Sequence, residues 1–343
     1  MLSEYFGVAR PPVVVRMIED MPVITDFLDP SMAKTAGAEI GDVILKVDGE
    51  DARSRIERYA RYLAASTPQS QLLGATLRFL GGPEGTLATM TVRDKEDHVK
   101  DISLTRKIKH VGGSNNWRSG PVLRLLPHNI GYADLDRLRA SEVDRMFEKF
   151  RKTRAIIFDV RGYPRGTAWS IAPRLTEENG VAAARFDRPM ALAPEGHSSD
   201  ISGEVTRDYF VQTLPHTDQW RYKGKTVMLI DERTISQAEH TGLFFEAANG
   251  THFVGSPTAG ANGDVTNFTV PGGISLMFSG QGVRHADGRQ LQRIGLVPDV
   301  EVKPTIAGIR AGRDEVLERA VEYLNGSLPA ISERGRGGSA GKR

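Results

Sequence analysis

The stretch from Thr226 to Glu246, TVMLIDERTISQAEHTGLFFE, limits the possible folds more than any other part of the chain. Val227 to Ile230 is a short apolar run ended by Asp231 and Glu232, as a buried strand would be. From Gln237 on, Ala238, Gly242, Leu243 and the run from Phe245 to Ala248 fit a helix whose face packs inward. A buried strand that passes through an acidic turn directly into a packed helix calls for a sheet covered by helices. Ser236 sits at the joint. A serine there either caps the helix or is a nucleophile presented at a helix N-terminus.

The flanking sequence extends the pattern. NIGYADLDRL reads as a strand with its exit, ASEVDRMFEKFRKT as a helix, and RAIIFDVRGYPRG as a buried strand ending in a glycine-rich loop. HFVGSP and VEV add strands, and AGRDEVLERAVEYL is an amphipathic helix. Before residue 109 the pattern is β-rich. PPVVVRMIEDMPVITDFLD gives two β-branched runs around a turn, RIERYARYLAA has helical periodicity, and ATLRFLGGPEGTLATMTVRD reads as two strands joined by a Gly/Pro turn. The expected organisation is an N-terminal segment (1–10), a β domain (11–108), a Gly/Ser/Asn-rich linker (109–120), an α/β core (121–325) and a basic, Gly-rich tail without structure (326–343).

Composition excludes several classes of function. The chain has 343 residues, enough for two domains, with 39% hydrophobic and 26% charged residues, as in globular proteins. A formal charge of +2 gives no case for nucleic acid as a partner. With no cysteine there are no disulfides, thiolate metal sites or cysteine nucleophile, and either an oxidising or a reducing compartment fits. The eight histidines are scattered without metal-binding spacing, so no metal is expected. GGPEG and PGG lack the Lys-Ser/Thr of a phosphate loop, so no nucleotide and no cofactor are expected. No apolar run reaches the roughly 18 residues of a membrane span, and no signal peptide is visible.

AKTAGAEIGDVILKVDGE resembles the PDZ family, in its bacterial, circularly permuted form. That resemblance implies peptide capture: backbone N–H groups near a Gly-containing turn hold a C-terminal carboxylate while the peptide adds as a strand. Gly37, Ala38, Ile40, Gly41 and Asp42 are the candidate peptide-binding residues. Farther on, IGYADLDRL, AIIFDVRGYPRG, the stretch from Thr226 to Asp264 and LQRIGLVPDVEV occur in the order used by C-terminal processing (tail-specific) serine peptidases, the tricorn-core-like branch in particular. The resemblance covers about residues 13 to 325. It implies a mixed α/β protein, a PDZ-like β domain followed by a crotonase/ClpP-like core of ββα units, acting as a serine endopeptidase on polypeptides recognised through their C-termini. It also implies an exported parent protein.

Residue by residue, the resemblance makes Ser236 the nucleophile, in Ser236-Gln-Ala-Glu239. Gln237 supplies one oxyanion N–H, and Gly166, in DVRGYPRG, is the second candidate or a plain turn glycine. Tyr163 and Arg165 stand where the family shows Asn and Gly. The proton acceptor is the open question. Relatives use a lysine about two dozen residues after the serine, but no lysine lies between Lys225 and Lys303. The tricorn-like branch takes a histidine from a helical region upstream of the PDZ domain, and no such motif is present here. That branch's glutamate position, six residues before Pro298, holds Gln292. His240, four residues past Ser236, and His285 are substitutes or ordinary histidines, and Glu239 either orients one of them or caps the helix. The rival reading is a catalytically incomplete peptide-binding protein on the same scaffold.

Overall fold

The computed structural model describes residues 5–109, 118–191 and 205–326. The first unit is a sheet of strands β1 (Val13–Ile18), β2 (Met21–Phe27), β3 (Val43–Val47), β4 (Leu87–Arg93) and β5 (Val99–Thr105), hydrogen-bonded in that order and antiparallel throughout. Helices α1 (Pro30–Ala36), α2 (Ala52–Ala60) and α3 (Pro68–Thr76) accompany it. Ile24, Ile44, Val47, Ile56, Phe79 and Met90 form its buried core.

Two expectations change here. ATLRFL is the end of α3 and the turn after it, not a strand: the Thr67 hydroxyl caps the helix, accepting from Ser70 N–H at 3.3 Å, and Pro68 at the first turn preorganises it. Residues 5–10 are part of the unit rather than a separate segment, since Phe6 is buried in its core and Ala9 pairs with Lys109. Most of the linker (110–117) and all but the first residue of the tail (327–343) lie outside the described residues.

The second unit is built on a six-stranded sheet. Its strands are β6 (Leu123–Leu126), β7 (Ile130–Asp134), β8 (Ala155–Asp159), β11 (Lys225–Ile230), β12 (His252–Gly255) and β16 (Val300–Glu301), and that is also their spatial order. All neighbours are parallel except β6–β7. Helices α4 (Val143–Phe150), α5 (Ala168–Ile171), α6 (Gln237–Asn249), α7 (Ile306–Arg310) and α8 (Glu315–Leu324) complete it. The strands read as unbroken apolar runs because both faces are covered. Ile156, Phe158, Met228 and Ile230 face a core shared with α4 and α6; Ala155, Ile157, Val227 and Leu229 face α8 through Val316, Ala320 and Leu324.

Two further sheets were not foreseen. β9 (Ala182–Ala191), β10 (Val205–Thr213) and β15 (Gly282–His285) form an antiparallel sheet, and among the described residues β13 (Val265–Val270) pairs only with β14 (Ile274–Ser279). Four parallel strands therefore end at one edge, at Asp134, Asp159, Ile230 and Gly255. Open parallel sheets place their functional loops at that edge.

Candidate active site

Ser236 follows β11 and starts α6, with φ 55° and ψ −115°. A serine pays steric free energy for that left-handed backbone, and such strain collects where a side chain must be presented to a substrate. Ser236 and Glu239 stand as a capping box, although no helix N–H reaches the Ser236 hydroxyl in full hydrogen-bond geometry. Ser236 thus occupies the cap position with its hydroxyl only loosely engaged by the helix. Its backbone N–H donates to Glu239 Oε2 at 3.1 Å.

Glu239 is fully buried and orients no histidine. Oε1 accepts from the Thr258 hydroxyl (2.5 Å) and Gly260 N–H (2.6 Å), and Oε2 also accepts from Ala261 N–H (3.0 Å). Burial raises its pKa, against the lowering effect of these four donors. Its job is to clamp the loop after β12 to the first turn of α6. The Thr258 hydroxyl in turn accepts from Leu296 N–H (2.8 Å), and Asp299 Oδ2 accepts from Phe253 N–H (2.7 Å). The closing GLVPD segment is held to β12 in this way.

Gly166, at φ 71°, lies against the start of α6; a Cβ there would come within 3.6 Å of Gln237 Nε2. Among the described residues neither the Gly166 N–H nor the Gln237 N–H donates to a backbone carbonyl. Two donors are thus left near the serine. The loop bearing Gly166 is shaped by buried charge. Asp159 accepts from Arg161, from Arg118 (3.2 Å) and from the Tyr132 hydroxyl (2.8 Å), and Arg161 reaches Asp314 at 2.7 Å. Burial would raise the Asp159 pKa, but Arg118 and Arg161 outweigh it and hold the group far below the carboxylate range.

His240 points into an aromatic setting, with ring centroids 4.7 Å from Phe244, 5.8 Å from Phe186 and 6.1 Å from Trp169. Desolvation lowers its pKa to about 4, so the ring is neutral at pH 7. Asn262 Oδ1 accepts from Gly263 N–H (2.9 Å), which turns Asn262 Nδ2 toward His240 Nδ1 at 3.4 Å. An amide donor facing Nδ1 puts the imidazole proton on Nε2. Gln292 braces the same loop, donating to the Asn262 and Gln281 carbonyls.

His285 is not brought to Ser236. Its Nδ1 contacts Glu246 Oε2 at 2.5 Å, and Glu246 is ten residues along α6, about 15 Å at 1.5 Å per residue. His285 is a buried structural partner of Glu246, which also accepts from Arg289.

Sequence reasoning missed Asp136, Thr258 and Asn262, which lie in loops at the same sheet edge; only the glycine-rich spacing of PTAGANGD hinted at a shaped loop. Asp136 is buried, with Oδ2 2.7 Å from Arg118 and Oδ1 without a partner. Burial, with Asp159 and Asp134 nearby, lifts its pKa to about 6 against the pull of Arg118.

The expected carboxylate-binding turn is already occupied within the protein. The N–H groups of Gly37, Ala38, Gly41 and Asp42 donate to Lys34, Ala33, Ile24 and Glu39 carbonyls, and Asp42 Oδ2 takes the Glu39 N–H. Arg310 lies on Gly41, donating to its carbonyl at 3.2 Å. Ile40 alone is left, exposed at the tip. These residues build a turn, not an anion nest.

The family model described as Peptidase family S41 matches residues 129–302. The chain belongs to peptidase family S41. A PDZ domain model matches residues 23–73. A Chlamydia pneumoniae protein, CPj1016/CpB1054, is 27% identical over 148 residues, 40% of this chain. The match spans 23% of that relative's length. Mature CPAF, solved in complex with lactacystin, superposes with a TM-score of 0.68 over 93% of this S41 chain and 84% of its own, at 14% identity. The photosystem II D1 C-terminal processing protease is 16% identical over 90% of this chain and 78% of its own, with a TM-score of 0.45, too loose a superposition to bear on the fold. The mixed α/β architecture, with its N-terminal PDZ domain and S41 core, is thus shared with CPAF. Among the described residues no helix is long and apolar enough to cross a membrane.

Proposed function

We propose that the chain hydrolyses polypeptides with Ser236 as nucleophile. The observation that carries this reading is the strained backbone of Ser236, which presents its hydroxyl at the start of α6. In the proposed reaction Oγ attacks the scissile carbonyl and passes its proton to a base. The oxyanion forms against the Gln237 and Gly166 N–H groups. The amine then leaves with the proton, and water releases the acyl group from Oγ.

Within these residues His240 is the candidate base. It is neutral and one turn from Ser236, but its free lone pair is on Nδ1, so it can take the serine proton there only by giving up Asn262. That contact favours a second reading, in which this chain binds polypeptide and a base from outside these residues is needed for turnover. Polypeptide would dock along β1, the sheet-edge strand beside α3, where Val13, Val14, Thr76, Leu77 and Leu80 line a narrow cleft.

A serine-reactive fluorophosphonate tests the assignment. Labelling should map to Ser236 by mass spectrometry, vanish in Ser236→Ala, and fall by on the order of a hundredfold in Gly166→Val, as for loss of one oxyanion donor. Labelling elsewhere would remove Ser236 as nucleophile. Labelling that also disappears in His240→Ala would assign the base to His240, whereas labelling that persists there would place it elsewhere.

A further inference from the structure

The hairpin of β13 and β14 stands apart from every other sheet. Thr266 pairs with Phe278, Phe268 with Leu276 and Val270 with Ile274, and directly opposed residues share a face. One face is therefore almost wholly apolar, yet Phe268, Ile274, Leu276 and Phe278 are 47%, 56%, 43% and 53% exposed. The opposite face mixes Asn267, Thr269, Ser275 and Ser279 with exposed Val265 and Met277. No charged residue occurs between Asp264 and Arg284. Both outer edges leave backbone N–H and C=O groups unpaired among the described residues. A lone two-stranded hairpin is marginal in water and gains most from a third strand.

Where the hairpin is rooted says what that strand is. It leaves the loop clamped by Glu239 only three residues after Ala261, whose N–H is held by the carboxylate that also holds Ser236 N–H. At its base Gln281 N–H donates to Gly263 O (2.9 Å) and Gly280 N–H to Asp264 O (2.8 Å). Gln292 ties both sides of that base together, and Asn262 beside it faces His240. The arm rises from the rim of the Ser236 site.

We propose that the hairpin 265–279 is a substrate arm: an extended, uncharged polypeptide segment adds to it as a third strand, its alternate apolar side chains continuing the face of Phe268, Leu276 and Phe278. The peptidase would thereby select apolar, uncharged stretches near the cleaved bond. This rests on the Ser236 reading for its meaning in catalysis, but not for the binding itself.

The test uses the full chain as Ser236→Ala, and a fluorescent ten-residue peptide alternating Leu and Thr with amidated C-terminus, which removes carboxylate capture. Its counterpart carries Lys and Glu at the Leu positions. The Leu/Thr peptide should bind, and the triple change Phe268→Ser, Leu276→Ser, Phe278→Ser should weaken it by at least about tenfold, because it removes the side chains opposite the added strand on whichever edge it takes and the apolar face beside them. Fluorophosphonate labelling in the Ser236 form of the same triple variant should proceed at the parent's rate. Equal binding of the two peptides, or binding unchanged in the triple variant, overturns the proposal. A triple variant that changes from dimer to monomer in sedimentation with peptide affinity retained would overturn it too, and assign the face to a second copy of the chain. Absence of labelling in the parent would defeat the nucleophile reading alone, since peptide binding to Ser236→Ala is measured independently.

Discussion

Ser236 holds a conformation that costs a non-glycine residue on the order of 1–3 kcal/mol. Glycine adopts it freely. Ser236→Gly is therefore expected to raise stability by about 1 kcal/mol, while Ser236→Ala, which gives up only the loose hydroxyl half of the capping box, should leave it within about 0.5 kcal/mol. Urea denaturation of the three proteins checks both; a loss of about 1 kcal/mol in Ser236→Ala would restore the helix-cap role. His240 and Asp136 make opposite contributions to pH dependence. The folded-state pKa of His240 falls from 6.5 to about 4, so the unfolded chain binds the proton first and stability drops as pH falls through that window. That of Asp136 rises from 3.8 to about 6, so the folded chain keeps its proton longer and stability drops as pH rises from about 4 to 6. The two slopes offset each other where they overlap. In His240→Phe the offset is gone, and unfolding free energy relative to the parent should improve steadily from pH 6.5 to 4.5. A pH-independent difference would show that His240 is no less desolvated when unfolded.

At the scale of elements, the loop after β12 hangs on one carboxylate. Glu239→Ala would leave the Thr258 hydroxyl and the Ser236, Gly260 and Ala261 N–H groups without their acceptor, an expected cost of about 2–4 kcal/mol. Thermal unfolding measures it, and a cost below about 1 kcal/mol would mean that water replaces the carboxylate. This role shows where sequence reading stops. Strands β8 and β11 were legible because burial on both faces forces unbroken apolar runs, and the helix after Ser236 because its apolar positions repeat. Glu239 was legible only as a possible cap, because its other three partners lie 19 to 22 residues away, in a loop without periodicity. The hairpin of β13 and β14 escaped for a related reason: its apolar alternation buries nothing, and a strand without a core has no boundary to mark it. His285 passed as a candidate base because spacing along the chain says nothing of which end of α6 it meets.

Across the whole molecule, the PDZ unit touches both loops that flank Ser236. Arg16 on β1 donates to Asp231 (3.2 Å) and Glu232 (2.8 Å), in the turn leading to the serine. The Thr67 hydroxyl donates to Ala259 O (2.9 Å) and Gln69 to Thr258 O (2.8 Å), in the loop that Glu239 clamps. Removing Arg16 takes the cation from Glu232, while Asp231 keeps Arg233. Arg16→Ala should cost about 2 kcal/mol, and calorimetry should show two separated transitions in place of one. A single transition at the parent's temperature would mean that the contact does not couple the units.

The helix that seals one face of the S41 sheet, α8, follows every strand it covers. As the chain leaves the ribosome, the PDZ sheet has all its strands once residue 105 is out, but Ile157, Val227, Leu229 and Val254 wait for Val316, Ala320 and Leu324. Parallel strands with distant partners in sequence form slowly, and apolar surface left bare in the interval is open to aggregation. During synthesis the half of the protein that carries Ser236 is therefore the half whose apolar strands stay bare longest.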